Sequence, residues 1–480
     1  MMETSSENGN LVCPRLTLLR REQMEQLHEY SLQILSTVGV RVDSEEALTL
    51  FSKAAGPGIL EGRRVQIPRE LVEWALGVAP SAVDIYDRLG DLAFRLPGQT
   101  RFGIGVTALY YQDPISDEVV PFTRSHMGSM ARLGGALASY DAVSTVGIVQ
   151  DVPTKVSDLY AALEMTANTT KPLILLISDD DASPTVLRLL ESLHGDLASH
   201  PFLVPYLNPI SPLVINRGTV DKMFLSARMG LPFIYSNYGM AGASTPITPV
   251  GALSLLNAEL LAGLTLGQLI KPGTAMILGS LPAFFDMKGM GSFYDPQSYL
   301  MDLACAEMME YYSLPHSGTS GSGMGWTADL IASGHQWFNH VISCVGKVGL
   351  VPFVGDNLGS KAFSPATIVY ANEVIEQARL FASGFGLEDD MLRLEEIAEA
   401  GPGGSYLTSK LTLLRFRNAY YRSRIFPRLS LEEWQSMGCP QASGLLRRYT
   451  KHLIEEVPAP GDGQDLLVRG EAFIAAATAG

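Results

Sequence analysis

From Arg101 to about Gly384 the sequence repeats one alternation: a short apolar run, a polar or glycine-bearing turn, then a stretch with helical period. The apolar runs fall at 101–106, 142–149, 172–177, 202–207, 232–236, 274–279, 315–319 and 350–354. Helical stretches follow them at 124–139, 156–169, 183–198, 217–230, 248–270, 296–313, 329–348 and 364–384. The runs are apolar throughout, as strands buried on both faces are, and such strands belong to parallel sheets. Eight units in roughly 280 residues match a (β/α)8 TIM barrel, whereas an open doubly wound sheet rarely needs so many. The seventh run has little β-branched content and is the weakest strand of the set.

The predicted fold class is therefore α/β, with the barrel over 101–386. An N-terminal helical cap covers 1–100, with helices near 17–38, 44–55 and 68–78 and a short strand at 64–67. A C-terminal helical extension follows over 387–456. It holds the turn Gly401-Pro402-Gly403-Gly404 and a basic–aromatic stretch, Arg415–Arg424, expected as a helix packed on the barrel. Residues 457–480 carry Pro and Gly near their start and read as a loosely held tail.

Charge narrows the partners. With 35 Lys+Arg against 50 Asp+Glu the net charge is −15, which argues against nucleic acid or an anionic membrane. Cys13, Cys305, Cys344 and Cys439 lie far apart with no CxxC pair, as reduced thiols in a cytoplasmic protein do. Residues 1–12 lack the basic and apolar regions of a secretory signal. The greasiest stretch, 248–270, is interrupted by Asn257, Glu259 and Gln268 and is expected to be a buried helix rather than a membrane span. The expectation is a soluble cytoplasmic protein.

In such a barrel function sits at the C-terminal strand ends. Those positions present Thr107, Tyr110 and Tyr111; Gln150 and Asp151; Ser178 and Asp179; Asn208; Asn237 and Tyr238; Phe284, Phe285 and Asp286; the loop 318–328 with Trp326; and Asp356 with Asn357. There is no HExxH, no Cys–His set and no GxSxG, so neither a bound metal nor an activated serine is indicated. Aromatic rings around a cavity suit a cation without hydrogen-bond donors, a quaternary ammonium, at roughly 0.5–2 kcal/mol per contact. Plainer readings stand beside this one. Tyr110 and Tyr111 plug the barrel end, Phe284 and Phe285 pack a lid, and Asp179-Asp180-Asp181 caps a helix. The Gly318–Gly325 run follows the seventh strand, where barrels bind phosphate, but it holds no Lys or Arg.

Several stretches carry a resemblance: Gly239–Leu253, Asn257–Gly263, Gln268–Gly273, Asp113-Pro114, Thr169–Pro172, Ser364–Ala366, Asn372-Glu373 and Gly401–Leu407. In combination they resemble the trimethylamine methyltransferase (MttB) family, over about residues 15 to 455. The resemblance implies a (β/α)8 barrel that moves a methyl group from an amine to the Co(I) of a separate corrinoid protein. Cobalamin then sits on that partner, with no metal on this chain. Trimethylamine members carry pyrrolysine in the loop after the seventh strand, where this chain has only Gly, Ser and Thr over 318–323. That departure points to the non-pyrrolysine branch, whose members demethylate quaternary amines such as glycine betaine, proline betaine and carnitine in one-carbon metabolism and methanogenesis. The family's histidine-bearing segment after the GPGG turn also differs, reading Ser405–Arg417 here.

What the resemblance implies is a glycine betaine:corrinoid methyltransferase forming dimethylglycine, with no catalytic acid or base and an enzyme contribution of positioning alone. The substrate-binding set is Tyr110, Tyr111, Tyr238, Phe284, Phe285 and Trp326 for the cation. His335, His316, Asn208, Asn237 and the backbone N–H groups of Gly321 and Gly323 are the donors for a carboxylate. Alternatives are the same chemistry on carnitine or proline betaine, a non-catalytic betaine-binding barrel, and a phosphate-binding barrel lyase. Amphipathic terminal helices suggest a homo-oligomer.

Overall fold

Each apolar run forms one strand of a closed parallel barrel. In a computed structural model describing residues 11–319, 323–387 and 392–478, these are β1 (Arg101–Ile104), β2 (Ala142–Ser144), β3 (Leu173–Leu175) and β4 (Leu203–Leu207). They continue as β5 (Phe233–Ala241), β6 (Met276–Asp286), β7 (His316–Ser317) and β8 (Leu350–Val354). Neighbours pair in chain order, and β8 closes on β1 through Val351 opposite Phe102. The seventh strand is two residues long and meets β8 at the single pair Ser317–Leu350. By contrast β5 and β6 stay paired from Phe233–Met276 up to Ala241–Phe284, so both rise above the barrel. β6 then folds back on Gly291–Phe293.

The helices between strands are α1 (Arg124–Ala136), α2 (Thr154–Asn168), α3 (Ser183–His194) and α4 (Arg217–Met229). They continue as α5 (Pro249–Ile270), α6 (Pro296–Tyr311), α7 (Leu330–Val345) and α8 (Pro365–Ser383). Their starts are written in the sequence. Asp295, Asp329 and Ser364 each accept a backbone N–H of the first turn, and Pro296 and Pro365 take first-turn positions that need no N–H. The greasy segment is α5, packed in the protein beneath the N-terminal helices 21–33, 45–55 and 69–78.

Three expectations are corrected. The cap is not purely helical: a hairpin, Val83–Tyr86 with Leu92–Leu96, closes the N-terminal end of the barrel. Residues 457–480 are not a loose tail, because Gly463–Thr478 is a helix packed on α2 and α3. Leu466, Gly470 and Ile474 recur at helical spacing, and a Cβ on Gly470 would come within 2.2 Å of Leu163. Pro458, Pro460 and Gly461 only make the turn before that helix. Finally, Arg415–Arg424 is not a helix on the barrel but a run of turns, mostly exposed, because charged residues interrupt any apolar stripe.

Candidate active site

Inward positions alternate along each strand, and their chemistry changes along the barrel axis. At the N-terminal end Val204, Ile234, Ile277 and Leu350 pack on Val83, Ile85, Phe94 and Leu96 of the plugging hairpin. Two residues further along, β4 presents Tyr206 and β5 presents Ser236; two further again come Asn208 and Tyr238. The strands thus pass from aliphatic packing to rings and hydroxyls within one step of the pleat.

At that upper level Tyr206 stands edge-on to Phe353 of β8, with ring centroids 5.0 Å apart. Its hydroxyl lies beside the side chains of Asn208 and Ser236. Tyr294, just past the β6 hairpin, adjoins Tyr238, Tyr206 and Asp356. Burial holds the phenols of Tyr206, Tyr238 and Tyr294 above their ordinary value, and for Tyr294 the Asp356 carboxylate adds to the rise. These rings are therefore neutral at physiological pH. Asp356 is 2% exposed.

Backbone geometry delivers that carboxylate. Gly355 sits at φ +121°, and a Cβ there would come within 2.2 Å of Ile368, so only glycine permits the turn from β8 into Asp356. Gly323, at φ +88°, approaches from the loop after β7; a Cβ on it would lie 2.8 Å from the Ser360 nitrogen and 3.2 Å from Asp356 Oδ2. Gly359 N–H donates to Gly323 O (2.9 Å) and Leu358 N–H to Gly325 O (2.8 Å), lacing the loops after β7 and β8 together. Asn357 Nδ2 donates to Gln112 Oε1 (2.9 Å), and Gln112 Nε2 donates to Trp326 O (2.9 Å), which ties in the loop after β1. The outcome is a cluster of buried rings with a buried carboxylate, covered by loops laced across the C-terminal end of the barrel. It suits a cation and opposes a phosphate at the glycine loop.

The expected residues distribute unevenly around this cluster. Tyr238 belongs to the ring cluster, Asn208 lies beside Tyr206, and Gly323 is part of the roof. Gly321 lies outside the described residues. Trp326 contributes its carbonyl to the roof while its ring is 68% exposed on the rim. Phe284 and Phe285 are on the raised part of β6, Phe284 facing Phe293 at 6.0 Å.

The others point elsewhere. Tyr110 and Tyr111 are in a side hairpin, where Tyr111 stacks on His126 at 4.1 Å and Tyr110 is at the surface. Asn237 faces away from the barrel interior: its Nδ2 donates to Leu256 O and Glu259 Oε2, and its Oδ1 accepts from Ser280 Oγ. His335 meets the Tyr299 hydroxyl at 2.9 Å on α7. His316 lines an 840 Å³ cavity at the N-terminal side with Arg95, Thr100, Cys344 and Arg379, and burial pushes its imidazole down to about 4. Tyr206, Tyr294 and Phe353 were not singled out by sequence, although the Val204–Tyr206–Asn208 alternation carried a signal for the first. Among the described residues, no three His, Cys, Asp or Glu side chains converge as metal ligands.

The chain matches the model of the family described as trimethylamine methyltransferase (MTTB) over residues 3–479. It is 26% identical to a glycine betaine methyltransferase of Desulfitobacterium hafniense strain Y51, covering 96% of this chain and 97% of that one. It is 25% identical to a trimethylamine methyltransferase MttB of Desulfitobacterium hafniense strain DSM 10664 / DCB-2, covering 91% and 90%. In three dimensions it resembles the Methanosarcina barkeri monomethylamine methyltransferase MtmB, with TM-score 0.53 at 9% identity over 92% of this chain and 88% of that one. That likeness concerns the barrel fold.

Proposed function

This chain belongs to the trimethylamine methyltransferase (MTTB) family and is a methyltransferase; on that premise we propose that it demethylates glycine betaine, giving dimethylglycine, with a corrinoid on a separate protein as acceptor. The observation that carries the reading is the cluster of Tyr206, Tyr238, Tyr294 and Phe353 around buried Asp356. A permanently cationic trimethylammonium group has no hydrogen to donate, so ring faces and a carboxylate are the partners it can use. The glycine betaine methyltransferase among the relatives supports the substrate. The Gly-, Ser- and Thr-only segment 318–323 supports the non-pyrrolysine branch.

The corrinoid, when docked, supplies the nucleophilic cobalt that takes up the methyl. This chain's part is to hold one methyl toward the mouth and exclude water. Tyr206, Tyr238 and Tyr294 bind the ammonium, Asp356 balances its charge, and the Asn208 amide and Ser236 hydroxyl are the donors the cluster offers the substrate carboxylate. The leaving amine departs neutral, so no acid is needed for bond breaking. The rim fits a docking protein: Ile247, Met287, Met290, Trp326 and Leu358, on the loops after β5 to β8, are all exposed.

The test is to incubate the protein with Co(I) cobalamin and individual betaines, following dimethylglycine by NMR, and to titrate each betaine calorimetrically without cobalamin. Fastest turnover of glycine betaine is expected. Turnover of carnitine or proline betaine alone replaces the substrate, binding without demethylation makes the chain a betaine-binding barrel, and no binding at all ends the proposal.

A further inference from the structure

Between α8 and the helix Ala442–Glu456 the described chain buries a single residue, Ile425, which joins the barrel's main apolar cluster beside Phe426. Its short helices, Leu394–Ala400, Lys410–Arg415 and Leu431–Ser436, contain no buried residue. Large apolar side chains nonetheless crowd this stretch: Leu407 is 80% exposed, Leu414 75% and Tyr420 73%, with Leu413 and Phe416 beside them. A monomer rarely leaves so many large apolar groups together in water.

The segment is held at one place. The Tyr421 hydroxyl donates to Glu373 Oε2 at 2.6 Å, Ser423 donates to the same oxygen, and Phe426 meets Tyr370 edge-on at 6.3 Å. Arg424 shares a shallow depression with Gln99, Ser139, Leu380 and Ser383, at the N-terminal side of the barrel. The exposed Leu380 and Phe381 extend the apolar patch there. The attachment runs along α8, from that depression up to Phe426, which shares a second depression with Tyr370 and with Thr327–Asp329 of the loop after β7.

Charge identifies the occupant. Residues 401–430 contain Lys410, Arg415, Arg417, Arg422, Arg424 and Arg428 and no acid, which leaves 29 cations against 50 acids in the rest of the chain. The helix just before this basic run carries Glu395, Glu396 and Glu399. An acidic helix and a basic run on one exposed arm are complementary to the same arm turned by a two-fold axis, which places each opposite its counterpart. The apolar residues between them supply a core, within reach of the roughly 800 Å² per partner that a stable interface buries. We propose that residues 392–437 are a dimerisation arm whose partner is a second copy of this chain, its acidic helix facing the other copy's basic run.

Sedimentation velocity on the full chain is expected to show a dimer or a larger assembly built from it. The double substitution Leu407→Asp with Leu414→Asp alters exposed positions, so the fold persists by circular dichroism while self-association weakens by about 100-fold. Arg417→Glu with Arg422→Glu is expected to weaken it as well, and adding Glu395→Lys with Glu396→Lys to that variant restores it. A monomeric wild type overturns the proposal, as does an assembly indifferent to the Asp substitutions. Failure of the charge exchange to restore association overturns the acid-to-base pairing. Arm variants that stay dimeric but no longer bind a corrinoid protein reassign the arm to that partner and also overturn it.

Discussion

The two ends of this barrel are built from the same strands and answer to different demands. At the N-terminal end the hairpin 83–96 pushes Val83, Ile85, Phe94 and Leu96 among Val204, Ile234, Ile277 and Leu350. These eight residues are all apolar, and packing alone decides which side chain fits among them. At the C-terminal end, one pleat further along β4 and β5, stand Tyr206, Ser236, Asn208 and Tyr238, facing Phe353, Tyr294 and Asp356. The upper end thus buries a carboxylate beside rings, where the lower end buries only apolar side chains. The lower end therefore determines whether the chain folds and the upper end determines what it holds, and substitutions at the two ends are expected to separate stability from binding.

The largest effect is expected below. Phe94→Ala empties a ring from the plug, and such truncations cost about 3–5 kcal/mol. Denaturant unfolding should show the loss while the affinity for glycine betaine is unchanged under native conditions. An altered affinity with unaltered stability would erase the distinction between the ends. The next effect is above: Asp356→Asn keeps the shape and removes the charge, for a loss of about 2–3 kcal/mol in betaine binding, or roughly 30- to 150-fold in Kd. Calorimetry checks it, and an unchanged Kd would remove the carboxylate from the site.

The difference between the ends also explains what was legible in the sequence. Strands buried on both faces announce themselves as apolar runs, so the barrel, its eightfold count and its weak seventh strand could be read directly. The plug could not, because Val83–Tyr86 is four residues with alternating polarity and sits among helical segments. The site was half legible for a related reason. The residues after each strand were inspected, which finds Asn208 and Tyr238, but Tyr206 and Phe353 lie inside β4 and β8, where an apolar run hides a ring as ordinary core. Tyr294 follows a hairpin that forms only because β6 runs on to Asp286. Asp356 stands at a strand end, yet its meaning depends on rings contributed by other strands. Asn237 and His316 show the converse: both occupy strand positions near function, and both point outward, to α5 and to the N-terminal cavity.

A smaller effect tests a single ring. Tyr294→Leu keeps an apolar side chain beside Asp356 but removes the ring face, for an expected loss of about 0.5–2 kcal/mol, roughly 2- to 30-fold in Kd for glycine betaine. Tyr294→Phe should recover most of it, since the face rather than the hydroxyl binds the cation. Equal losses in the two variants would assign Tyr294 a hydrogen-bonding role instead.

The smallest expected effect is an absence of one, with pH. A trimethylammonium group does not titrate, and the phenols of Tyr206, Tyr238 and Tyr294 are raised above their ordinary value near 10. Raising a phenol's pKa extends the range of its neutral form upward, so no ring of the cluster changes charge between pH 6 and 9. Burial pushes two carboxyls up into that window, Glu259 to about 7 and Asp302 to about 8, but they accept hydrogen bonds from Asn237 and from the Thr319 N–H rather than from the rings, so the Kd for glycine betaine should vary by less than about twofold. His316, pushed down to about 4, is neutral throughout it and lies at the other end of the barrel, so it adds no slope. Binding that strengthens about tenfold per pH unit anywhere in that window would mean that a titrating group, and not the neutral rings, dominates recognition of the cation.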